Sequence, residues 1–178
     1  MTPEDKKQME ECTQQLLRST KLISHPVDIP RIAASLSIDF REEDLESEVS
    51  GILFVKDGVK RIVVNYNHEL KHRRAAIAYI LGLLHLHQNG DDELIIFNKI
   101  NFYQRARHSS GDIQEIHHRD AVRFAMCLMM PEPWIRSAVF NENKWSDQDI
   151  AKLAHQYLVS EQLMLMRLVD LDVMIFSA

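Results

Sequence analysis

Ala75-Ala76-Ile77-Ala78-Tyr79-Ile80-Leu81-Gly82-Leu83-Leu84-His85-Leu86-His87 is the stretch whose reading decides the fold. A helix on the surface of a globular protein keeps a polar face. From residue 75 to residue 84 there is none, so this helix is expected to be buried on every side. It carries one glycine, Gly82, and the helical reading runs from Arg73 to His87. The basic run Lys71-His72-Arg73-Arg74 before it reads as a solvated helix start, and Asn89-Gly90-Asp91-Asp92 ends it.

Working outward, Gly51–Val55 and Arg61–Asn65 read as two strands joined by Lys56-Asp57-Gly58, which carries the Asp-Gly hairpin signal. Upstream, residues 4–23 place Met9, Cys12, Leu16 and Leu17 at helical spacing. His25-Pro26 breaks that pattern. Asp28 caps a short helix with Pro30 in its first turn, Ile38–Arg41 is a short strand, and Glu42–Glu48 is an acidic loop. Downstream, Leu94–Tyr103 reads equally as strand or loop, and residues 105–112 as a polar connection. A long helix follows from Ile113 to Met130, stopped by Pro131-Glu132-Pro133. Trp134–Phe140 is a short helix, Ser146 caps another, and Glu161–Val169 is the last. The fold class is α+β: a mostly helical domain with a small antiparallel sheet in the N-terminal half and a C-terminal helical pair. The expected division is 1–142 as the main domain and 143–178 as a helical appendage packed on it, or a single domain.

Composition narrows the classes. The chain has 178 residues, 46% hydrophobic and 26% charged, enough to bury a core without metal or disulfide staples. No apolar run is long enough to span a membrane, and the polar segment Met1–Glu11 does not read as a signal peptide. Cys12 and Cys127 are far apart and outside any CxxC spacing, which points to a reducing, cytoplasmic setting and to thiols packed as small apolar groups. A net charge of −5 argues against direct nucleic-acid binding.

The central helix resembles that of the ImmA/IrrE metallopeptidase family, typically R-F-T-x-A-H-E-L-G-H-x-x-L-H. Arg74, Ala78, Leu81, Gly82, Leu86 and His87 stand at its framework positions. Tyr79 stands at the first zinc histidine, Ile80 at the general-base glutamate and Leu83 at the second zinc histidine. The family's later motif, similar to E-x-E-A-N-x-F-A-A-x-L-L-M-P, is matched by the run His118–Pro131, with Asp120 at the third ligand. The likeness covers roughly residues 25–170 and implies a zincin-like domain whose metal site is degenerate.

The chemistry of that departure is specific. HExxH sets two imidazoles on one helix face to share a zinc while the glutamate takes a proton from bound water. Tyrosine ionises near pH 10, leucine has no donor atom, and isoleucine accepts no proton. Asp120 remains as the surviving carboxylate, and no zinc or other cofactor is expected. A rearranged set from His85, His87, His118 and Asp120 is the alternative. His85 and His87, two residues apart, diverge on a helix. Asp120 is expected instead to pair with Arg74, Arg119 or Arg123, or to accept the Tyr79 hydroxyl. The run Met126–Met130 is expected in the core. Repacked with Tyr, Ile and Leu, the old site should be dry.

Family members commonly act on helix-turn-helix repressors of mobile elements or stress genes. The resemblance therefore implies a catalytically dead regulatory protein that binds a protein partner such as such a repressor. One alternative is an active metalloprotease with an atypical ligand set. Another is a DNA-binding module in the C-terminal helices, but there Lys144, Lys152 and Arg167 are outnumbered by Asp147, Asp149, Glu161, Asp170 and Asp172.

Overall fold

A computed structural model describes residues 3–86, 93–98, 113–139 and 146–173. Seven helices and four strands follow one another among them: α1 (Pro3–Ser19), α2 (Ile29–Ser35), β1 (Ile38–Glu43), β2 (Val49–Lys56), β3 (Val59–Asn65), α3 (Leu70–Leu86), β4 (Glu93–Asn98), α4 (Ile113–Met129), α5 (Glu132–Val139), α6 (Asp147–Tyr157) and α7 (Glu161–Asp170). Their residues group into two compact units. One is Asp28–Ala125; the other joins Met1–Val27 to Met126–Ala178, so α6 and α7 share a unit with α1.

In the first unit the strands lie in the order β1-β3-β2-β4. The hairpin forms as its turn residues require: Asp57 and Gly58 both have positive φ, at 49° and 77°, which matches a tight turn to the strand twist. The sheet is mixed, not wholly antiparallel as expected, because β1 runs parallel to β3. The chain reverses between β1 and β2 and again between β2 and β3, and two reversals restore the direction. β4, in the stretch that read as strand or loop, pairs antiparallel with β2. Leu53, Val55, Ile62 and Val64 are buried, while Leu94 and Ile96 point to the exposed side.

Asn65 closes the strand end. Its Nδ2 lies 3.0–3.2 Å from the carbonyls of Leu45, Glu46 and Val49 and holds the acidic loop to β3. A register shift between Val49 and Gly51 leaves Ser50 out of the ladder, and its hydroxyl meets His72 Nε2 at 3.0 Å. The expected solvated start of α3 holds only for Lys71. Arg73 pairs with Glu42 at 2.7 Å, and Arg74 is buried, its charge penalised by desolvation and favoured by Asp28. Burial along α3 runs unbroken from Arg74 to Gly82. Leu83 and Leu84, also expected inside, are only partly covered, and His85 is exposed.

In the second unit the helix ends follow local chemistry. Ser146 and Asp149 form a reciprocal capping box at α6. Ser160 caps α7 by accepting from Leu163 N at 3.2 Å. Four described helices are followed by left-handed residues that are not glycine, Ser37 after α2 being one. After α1, α6 and α7 these are Lys21, Leu158 and Asp172. The next residue in each case, Leu22, Val159 or Val173, donates its N–H five residues back, to Leu17, Ala154 and Leu168. The helix before Trp134 starts at Glu132, two residues earlier than expected, since Pro133 fits a first turn. Met126, Met129 and Met130 are buried, as expected of a core run. Cys127 is buried, but Cys12 is only partly so, at variance with the expectation for both thiols.

Candidate functional site

The site positions lie on α3 and on the part of α4 that shares its unit. These helices approach closely at Gly82. A Cβ there would come within 3.1 Å of the backbone Cα and O of Ala121 and of Phe124 Cβ. A side chain there would require α4 to give by a few tenths of an ångström, which glycine avoids. Beneath α3, Ile80 is fully buried against the sheet, and a Cβ at Gly51 would lie 3.1 Å from its Cδ1. The isoleucine thus fills the space above a glycine of β2.

Tyr79 is 6% exposed and its hydroxyl lies 3.0 Å from His118 Nδ1. Phe97 of β4 meets the Tyr79 ring edge-on at 5.7 Å between centroids. Burial pushes the Tyr79 phenol up to about 12 and holds the His118 imidazole below its ordinary value. At neutral pH the phenol therefore keeps its proton and shares a hydrogen bond with an uncharged imidazole. Of the partners expected for Asp120, Arg119 is the one found beside it, while the Tyr79 hydroxyl lies against His118. Asp120 lies 3.8 Å from Arg119 Nε, and its Oδ1 is buried without a hydrogen-bond partner.

The residues at these positions do not fit a tetrahedral zinc. The Tyr79 phenol is protonated and committed, Leu83 offers no donor, and Asp120 is a single carboxylate. The rearranged set fares no better. His85 lies exposed with its ring 5.5 Å from Phe124, and it is not grouped with His118 and Asp120 as a ligand set. His87 lies outside the described residues. Among the described residues no three His, Cys, Asp or Glu side chains are grouped so as to hold a metal. The site is also less dry than repacking alone would make it, since Leu83 is only partly covered.

Arg167 on α7 is fully buried, with Nη1 2.6 Å from Glu10 Oε1 and 3.5 Å from Asp170 Oδ2, a pairing not foreseen although its signal stood in the sequence. Leu163, Met164 and Leu168 form one apolar face of α7, and an arginine on that face demands a buried partner.

A long helix laid on a small mixed sheet, with a second helix crossing it at a glycine, is the framework of a zincin-like peptidase domain. The IrrE N-terminal-like domain of the peptidase M78 family matches residues 33–169, and the chain belongs to that family. No curated protein matches it. Among the described residues no helix is long and apolar enough to cross a membrane.

Proposed function

We propose that this chain is a regulatory protein that uses a peptidase scaffold to bind a protein partner and does not cut it. The observation that carries the reading is the pair of replacements at the chemical positions of α3. The Tyr79 hydroxyl is bonded to His118, and Ile80 is packed over Gly51 where a catalytic base would have to reach water. Hydrolysis by a bound metal needs ligands for the ion and a base for its water. The partner we propose is a helix-turn-helix repressor, on the family's habit of acting on such proteins, and the setting a reducing cytoplasm, in keeping with Cys12 and Cys127 forming no disulfide.

The test is metal analysis of purified protein together with incubation against a candidate repressor. The expected result is no stoichiometric zinc, a stable complex and an intact repressor. Stoichiometric zinc that is lost on Asp120→Ala, with chelator-sensitive cleavage, would overturn the reading in favour of an active peptidase with an unusual ligand set.

A further inference from the structure

The strands of the sheet are apolar on both sides. Gly51-Ile52-Leu53-Phe54-Val55, Ile62-Val63-Val64 and Leu94-Ile95-Ile96-Phe97 are unbroken apolar runs. A sheet with one solvated face alternates apolar with polar residues, and unbroken runs belong to sheets covered on both faces. One face is covered from within the chain. Leu53, Val55, Ile62 and Val64 are buried on the side of α3, which packs on β2 and β3. Phe97 and Glu42 reach Tyr79 and Arg73 of α3 on that same side. The alternate residues of each strand form the opposite face.

That opposite face is ordered in two rows across the four strands. The pairing register sets Arg41, Val63, Ile52 and Ile96 side by side in one row, and Asp39, Arg61, Phe54 and Leu94 in the next. Leu94 is 64% exposed and Ile96 55%, while Ile52, Phe54 and Val63 are partly exposed between them and β1. A contiguous exposed apolar patch of this kind marks a contact site. The charges gather at the β1 end, where Asp39 Oδ2 lies 2.6 Å from Arg61 Nε and 3.3 Å from Arg41 Nη2. Arg41 stands in one row and Asp39 in the other.

We propose that this face binds a second copy of the chain, sheet on sheet, about a two-fold axis that crosses the strands between the two rows. Such an axis lays each row over the other row of the partner. Ile96 then meets the partner's Leu94, Ile52 the partner's Phe54, and Arg41 the partner's Asp39, each contact occurring twice. An axis along the strands would instead set the apolar β4 over the charged β1. An isologous interface has to match itself, and these rows do so, apolar to apolar and cation to carboxylate. That self-match is what selects a second copy as the occupant. Four strands about 4.8 Å apart, each contributing about six residues at about 3.3 Å, make a face roughly 19 Å by 20 Å. Its size puts the contact at the small end of specific interfaces, so the dimer should dissociate on dilution. The pairing does not depend on whether α3 supports peptidase chemistry.

The test is sedimentation velocity on the full chain between about 1 and 100 μM, a range in which a weak dimer changes its population. The wild type should pass from monomer to dimer as the concentration rises. Ile96→Lys and Leu94→Glu replace side chains that are already exposed, so neither removes core packing. Each variant alone buries an unpaired charge twice in the dimer and should associate at least about tenfold more weakly than wild type. Mixed in equal amounts, the two variants set the new lysine of one chain against the new glutamate of the other, and they should associate more tightly than either does alone. Val169→Lys, at an exposed apolar position of α7, should associate as wild type does. A wild type that stays monomeric throughout, single variants as tight as wild type, a mixture no tighter than its components, or equal weakening by Val169→Lys would each overturn the proposal.

Discussion

Arg167 Nη1 stands 2.6 Å from Glu10 Oε1, and the guanidinium is wholly shielded from solvent. Desolvating a charge is costly, so the pair is worth most when one asks what remains after half of it is removed. Glu10→Ala should destabilise the protein, but by less than the about 3–5 kcal/mol usual when a buried cation is left uncompensated, because Asp170 Oδ2 stays 3.5 Å from the same Nη1. The combined change Glu10→Ala with Arg167→Met should recover much of that loss, because it removes the buried charge. Urea denaturation of the two variants decides the matter. Additive losses in the double variant would mean the ion pair is not the reason Glu10 matters.

Gly82→Ala sets two effects against each other. Alanine gains about 1 kcal/mol of helix propensity over glycine. Its Cβ, however, would stand 3.1 Å from backbone atoms of Ala121, which cannot rotate away as a flexible side chain can. Overpacking of this kind costs about 1–3 kcal/mol, so the net change should be a loss, read as a melting temperature lower by several degrees. A stabilised variant would mean that α3 and α4 separate freely.

Stability should fall on mild acidification. His72 and His118 are both held below their ordinary value, in each case chiefly by burial, with His68 adding to the effect at His72. The unfolded chain therefore takes up protons first, near pH 6.5. The contribution is complete above that value and is lost as pH falls through the folded-state values. The urea midpoint should be lower at pH 5.5 than at pH 7.5, and the difference should shrink in His72→Asn and His118→Asn. Both imidazoles are partly solvated, so the effect of each is modest.

Ile80→Glu puts a carboxylate at the position that the resemblance aligns with a general base, but does not supply a site around it. Ile80 is fully buried above Gly51, and an unpaired carboxylate there costs several kcal/mol or protonates. The variant should be strongly destabilised in thermal melts, and added zinc should not rescue it. Rescue by zinc would show that the metal positions are competent after all.

Much of the backbone plan was legible in local chemistry. The Asp57-Gly58 turn, the Asp28 and Ser146 caps and the proline stop after Met130 each act within a few residues, and the elements they bound formed where they read. The burial of α3 was legible from its composition as far as Gly82. What local patterns do not contain is partnership across the chain. The parallel pairing of β1 with β3 depends on two reversals, and the burial of Arg74 depends on what packs around the start of α3. Tyr79 shows the same limit: its buried hydroxyl plainly needed an acceptor, but the choice of His118 over Asp120 rests on how α3 and α4 are aligned. Arg167 was legible only as a conflict, a charge on an apolar face, with Glu10 too distant in sequence to suggest itself.

Lys21, Leu158 and Asp172 end their helices in a backbone conformation that favours glycine. The left-handed region costs a residue with a side chain about 1 kcal/mol. A chain that tolerates three such ends holds stability in reserve, reachable by single substitutions that disturb no packed side chain at Lys21 or Asp172. Stability gained at those ends would offset costly substitutions made elsewhere in the chain.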